Sequence, residues 1–122
     1  MSALSHIKVL DLSRVLAGPW ASQLLADLGA EVIKVERPEV GDDTRSWGPP
    51  FLKDESGQDT AESAYYLCTN RGKKSVCIDM KSAEGQETIR QLADQCDVVL
   101  ENFKVGGAAS FGIDYDMLAA RN

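Results

Sequence analysis

Three cations fall just past the carboxyl ends of apolar, β-branched runs. Arg37 follows Val32-Ile33-Lys34-Val35-Glu36, Lys81 follows Ser75-Val76-Cys77-Ile78-Asp79, and Lys104 follows Val98-Val99-Leu100. Asp79 stands beside Lys81 and Asn102 beside Lys104. Cations gathered at strand ends and near helix N-termini are what a polyphosphate ligand needs, because their bonds to phosphate oxygens are charge-assisted. Other chemistries are poorly supplied. The single histidine, His6, argues against a metal centre or a His-dependent nucleophile. No GxGxxG follows the first apolar run and no GxxxxGK[ST] occurs, so the dinucleotide and P-loop readings are weak.

The elements that must position these residues begin with Ile7 to Pro38, which reads strand, turn, helix, turn, strand. Ile7 to Leu12 is apolar enough for a largely buried strand. Ala17-Gly18-Pro19 opens a helix, with proline where a missing N–H costs nothing. Ala21, Leu24, Leu25 and Leu28 follow at i, i+3, i+4 and i+7, which predicts one apolar face turned to the core. Gly29 takes the left-handed stop position, and Val32, Ile33 and Val35 form a second strand. A short helix linking two buried strands is a βαβ unit with parallel pairing. Ligands of open parallel sheets bind beyond the strands' carboxyl ends, here Ser13 to Gly18 and Arg37 to Thr44. The plain alternative is that Gly18 and Pro19 only turn the chain and Arg37 is solvated.

From 39 to 62 the sequence is rich in Gly, Pro, Asp and Ser with no sustained period, and it is predicted to be a long loop. Trp47 and Phe51 within it are expected to pack on the core, a ligand or a partner chain. Tyr65-Tyr66-Leu67 fits the start of either a helix or a strand. Asn70-Arg71-Gly72-Lys73-Lys74 is a basic patch ahead of a third strand, Ser75 to Asp79. Ser82 is a fitting N-cap for a helix from Ala83 to Gln95, whose Ile89, Leu92, Ala93 and Cys96 repeat at helical spacing. Val98 to Leu100 is a fourth strand, and Tyr115 to Ala120 opens another helix. Two such units in tandem give a Rossmann-like α/β core, a parallel sheet flanked by helices.

At 122 residues this is at most one domain. A net charge of −6 argues against a general nucleic-acid binder. No apolar run approaches the roughly 20 residues of a membrane span, and MSALSHIKVL lacks the basic start and apolar stretch expected of a signal peptide. Cys68, Cys77 and Cys96 are odd in number and form no CxxC pair, as expected of reduced thiols in a cytoplasmic protein.

Four segments, VLDLSRVLAGPWASQLLADLGAEVIKVERP, GDDTR-W, NRGKKSVCIDMK and DVVLENF, in that order and spacing, resemble the amino-terminal part of the class III (CaiB/BaiF-type) CoA-transferases. The resemblance runs from Ile7 to about Leu118, and the continuous GDDTRSWGPPF is similar to the branch handling dicarboxylic acids such as succinate or glutarate. It implies an enzyme that moves coenzyme A between an acyl-CoA and a carboxylic acid, with a Rossmann-like large domain and two longer chains interlocked as a homodimer. Coenzyme A or its thioester is then a substrate, and no permanently bound cofactor and no metal are implied.

Residue by residue, the resemblance sets Val15, Leu16 and Ala17 against coenzyme A, and Arg37 at its nucleotide part. It makes Ile78, Asp79, Met80 and Lys81 one cofactor-lining segment, and Asn102, Phe103 and Lys104 another. Leu16 stands where some formate- and oxalate-type members have glutamine, which argues against an oxalate substrate. Several members carry an arginine a few residues beyond Lys104, where this chain reads Val105 to Ser110. The family's catalytic aspartate, which attacks the thioester to give a mixed anhydride and then an enzyme-bound thioester, would fall after Asn122. Residues 1–122 are therefore expected to be an incomplete amino-terminal part of a larger CoA-transferase domain, inactive alone. Two alternatives are a 2-methylacyl-CoA racemase-like enzyme, which shares the LAGP and GKKS-type segments, and a non-catalytic α/β module that binds a nucleotide or a partner chain.

Overall fold

Alternation of residue type along the two central strands decides which side each helix covers. The computed structural model describes all residues 1–122. β1 (Lys8–Asp11) pairs in parallel with β2 (Glu31–Glu36) on one side and with β6 (Val98–Leu100) on the other. β5 (Lys73–Cys77) adds to the far edge of β2, so the sheet order is β5-β2-β1-β6. The chain therefore winds outward from β1 in one direction and then restarts on its other side, leaving a switch point between β1 and β6.

Leu10, Leu12 and Val35 point to one face, where they join Ile78, Ile89, Ala93, Cys96 and Ile113 in the main core. α3 (Ala83–Ala93) covers that face. Its Ile89 is fully buried, and each such aliphatic side chain stabilises the fold by roughly 1.5–3 kcal/mol. Val9 and Val32 point the other way, onto Leu25 and Ala26 of α1 (Ala17–Asp27). Further along the same face the register puts Asp11, Lys34 and Glu36, all buried. The lower half of that face is apolar and its carboxyl-terminal half is charged.

α1 corrects the expected apolar stripe. Its buried residues are Pro19, Ser22 and Gln23, while Leu24 and Leu28 are about half exposed along with Trp20. The charged half of the sheet face accounts for this: it selects polar partners, and Ser22 donates to the Asp11 carboxylate while Gln23 bonds the Cys68 carbonyl and the Arg71 amide. Gly29 does end the helix, at φ +102, with its N–H on the Ala26 carbonyl.

The segment from 39 to 62 is not a structureless loop. A 3-10 turn spans Asp43–Ser46, and β3 (Phe51–Lys53) and β4 (Asp59–Ser63) form an antiparallel hairpin. Asp54 closes the hairpin by accepting from the amides of Ser56 and Gln58, a turn that composition alone reads as loop. Trp47 meets Tyr65 edge-on with centroids 5.1 Å apart, and Phe51 lies against Gly48. Tyr65 and Tyr66 belong to a short helix, α2 (Ala64–Thr69), capped by Ser63. Beyond β6, α4 (Gly107–Ser110) and α5 (Tyr115–Ala119) complete the chain. No helix is long and apolar enough to cross a membrane.

Candidate functional site

The carboxyl ends of β2, β5 and β6 open onto one cleft of about 730 Å³. The segment leaving β2 contributes Arg37, Val40 and Asp42, the segment after β5 contributes Asp79, Met80 and Lys81, and that after β6 contributes Phe103 and Lys104. The three cations singled out in the sequence thus share one rim. Arg14, which follows β1, lines it too.

Not every sequence-predicted residue reaches the cleft. Val15, Leu16 and Ala17 lie beside it and do not line it, and Ile78 is packed in the main core. Asn102 turns its side chain onto the Arg14 backbone, donating to the Arg14 carbonyl at 2.8 Å and accepting from the Arg14 N–H at 3.0 Å. Arg37 stays exposed while ion-paired with Asp43, and it reaches the Gly41 carbonyl at 3.4 Å. Arg14, Lys81 and Lys104 take part in no ion pair of the structure. They are the cleft's uncommitted positive charges.

Local geometry explains how the β5 end is held. The Asp79 carboxylate accepts from the Lys81 N–H at 2.9 Å and the Asp79 carbonyl from the Ser82 N–H. Ser82 then caps α3 through the Gly85 N–H at 2.9 Å. A Cβ on Gly85 would stand 1.8 Å from the Asp79 carbonyl oxygen, so only glycine lets the helix approach this turn.

Beneath the cleft lies a buried polar network that sequence reasoning missed. Lys34 bonds Asp42 at 2.9 Å and the Ser13 carbonyl at 3.0 Å. Lys73 bonds Asp11 at 3.1 Å, the Pro19 carbonyl and Asn70. Glu36 receives two bonds from the Arg45 guanidinium, and further ones from Ser75, Tyr66 and the Asp42 N–H. Arg45 also lies 3.8 Å over the Tyr66 ring. Every buried side-chain polar atom has a partner. The available signal was Lys34 itself: a lysine set between Ile33 and Val35 in the middle of a buried strand has to find a carboxylate.

The network sets the acidities. Burial pushes Glu36 up, but the Arg45 guanidinium, the Ser75 hydroxyl and the Asp42 amide outweigh it and bring the carboxyl down to about 2. Asp42 is likewise held below the usual carboxylate range: burial opposes it, while the Thr44 N–H and Lys34 prevail. Burial lowers the Lys73 ammonium, with Asp11 only partly offsetting it, and burial next to Glu36 raises the Tyr66 phenol. No three His, Cys, Asp or Glu side chains converge to hold a metal ion.

The sequence profile of CoA-transferase family III matches residues 4–122. A succinate–glutarate CoA-transferase of Agrobacterium fabrum is 56% identical over 119 residues, covering 98% of this chain and 30% of its own length. A succinyl-CoA:glutarate CoA-transferase of Homo sapiens is 51% identical over 113 residues, covering 93% of this chain and 24% of its own. Among solved structures, a CaiB/BaiF family protein from Brucella suis superposes with a TM-score of 0.89 at 52% identity, over 99% of this chain and 31% of that one. The chain spans about 30% of the length of the first relative and less of the second.

Proposed function

The chain belongs to CoA-transferase family III, and from that premise we propose that its cleft holds the adenosine-phosphate handle of coenzyme A, in an enzyme moving coenzyme A between an acyl-CoA and a dicarboxylic acid of the succinate or glutarate kind. The observation that carries the reading is the shared rim: Arg37, Lys81 and Lys104 line one cleft together with Met80, Phe103 and Phe111. Cations suit the phosphates and the apolar side chains suit the adenine. The dicarboxylic substrate is inferred from the succinate–glutarate relatives.

The reacting carboxylate is supplied from outside residues 1–122, and it works through the anhydride and thioester steps of a carboxylate nucleophile. The cleft's own carboxylates are engaged elsewhere. Glu36 is bound by Arg45, Asp42 by Lys34, and Asp79 by the Lys81 amide. The working enzyme is read as a cytoplasmic homodimer. Two exposed free thiols, Cys68 and Cys77, fit a reducing compartment, and the uncovered Trp20, Leu24 and Leu28 of α1 fit a face that further protein covers.

Calorimetric titration with coenzyme A and with ATP tests the site. Arg37→Ala combined with Lys81→Ala is expected to weaken coenzyme A about tenfold or more, the loss of one or two charge-assisted bonds. Unchanged affinity in the double variant would remove the assignment.

A further inference from the structure

The turn that follows β1 is held almost entirely by side chains. The Ser13 N–H bonds Asp11 at 2.9 Å, the Ser13 carbonyl accepts from Lys34, and both backbone groups of Arg14 bond Asn102. The Val15 N–H faces the two Asp42 carboxylate oxygens at 3.3 Å and 3.4 Å. Val15 needs this support. Its φ of +72 is a left-handed conformation that a β-branched residue rarely adopts. Such strain persists only where the surroundings over-determine it.

The outcome of this strained turn is Arg14. Arg14 lines the cleft, and its guanidinium makes no hydrogen bond and no ion pair within the protein. The clamp on its backbone crosses the switch point, because Asn102 follows β6 while Arg14 follows β1. Asn102 itself does not line the cleft.

We propose that Asn102 is a positioning residue that clamps the Arg14 backbone across the β1–β6 switch point, so that the Arg14 guanidinium is presented to an anionic group of coenzyme A. The proposal rests on the coenzyme A reading of the cleft and adds Arg14 as its direct contact. Asn102 acts at one remove: a side-chain amide spent on a peptide's N–H and C=O fixes where the next side chain starts and leaves little to offer a ligand.

A double-mutant cycle on this chain separates the roles, read as coenzyme A affinity by calorimetry. Asn102→Ala and Arg14→Ala are each expected to weaken binding about tenfold, and the double variant to be no weaker than Arg14→Ala alone. Losses that multiply, to about a hundredfold, would make Asn102 an independent contact and overturn the proposal, as would full affinity in Asn102→Ala. Amide hydrogen exchange without ligand supplies a second readout: the Arg14 N–H is expected to exchange at least about tenfold faster in Asn102→Ala, and an equal rate overturns the clamp. Should the alanine variant unfold, Asn102→Leu, which keeps the side-chain volume and removes both the donor and the acceptor, takes its place with the same expectations. Failure of the unsubstituted chain to bind coenzyme A would sink the reading of the cleft and the ligand role of Arg14, and the exchange rates would still decide the clamp.

Discussion

Lys34 and Asp42 form an ion pair of 2.9 Å in which each side chain is only 1% exposed. The pair connects a central strand to the turn that bears Val15 and to the 3-10 turn that follows. Asp42 accepts from the Thr44 amide and hydroxyl as well as from Lys34. The aspartate of the GDDTRSW segment is therefore a structural anchor under the cleft. Arg45 of the same segment is another, committed to Glu36 and Tyr66.

Breaking that pair from one side leaves a buried charge without a partner. Lys34→Met is expected to lower stability by about 3–5 kcal/mol. Lys34→Met together with Asp42→Asn, which removes both charges, is expected to recover at least half of that loss. Urea denaturation followed by circular dichroism measures both, and a double variant as unstable as the single would show that the charges are not coupled.

Acid titrates Glu36 out of its network. Its carboxyl sits at about 2 in the fold against an ordinary 4.5, so the unfolded chain binds protons first as the pH drops. The stabilisation is present above the ordinary value and is lost as pH falls from about 5 towards about 2. Urea midpoints across that window are expected to decline, and Glu36→Gln, already less stable at neutral pH, is expected to decline less steeply. Parallel curves would contradict the assignment.

The approach of α3 to the cleft depends on Gly85. Its replacement by alanine forces the helix start off the Asp79 carbonyl. An overpacking cost of about 1–3 kcal/mol is expected, with weaker coenzyme A binding because Asp79, Met80 and Lys81 shift with it. A variant that keeps both its melting temperature and its affinity would show that the turn yields freely.

What the sequence made legible follows from range. The apolar strands, the Gly29 stop and the Ser82 cap are local patterns and stand in the structure near where their residues imply, except that the third strand runs Lys73–Cys77, two residues ahead of the expected Ser75 to Asp79. So does the α3 face of Ile89 and Ala93, which meets an apolar sheet surface. The α1 face was misjudged because its partner is the charged half of the sheet, which no local pattern of leucines reveals. The hairpin from Phe51 to Ser63 was hidden by its polar composition, since its order comes from Asp54 turn bonds and from contact with α2. Arg37, Lys81 and Lys104 were found from their places at strand ends. Arg14 lies in the Ser13 to Gly18 strand end but was not singled out, and its bond to Asn102, 88 residues away, has no local signal.

The rim of Arg14, Arg37, Lys81 and Lys104 is proposed to receive the phosphates of coenzyme A. A nuclear magnetic resonance titration of the ¹⁵N-labelled chain with coenzyme A tests it most directly. Saturable shifts are expected in the amides of Arg14, Arg37 to Gly41, Met80, Lys81, Phe103 and Lys104, weakening as salt is raised. An absence of shifts, or shifts confined to the groove lined by Val99, Tyr115 and Leu118 on the other side of β6, would contradict it.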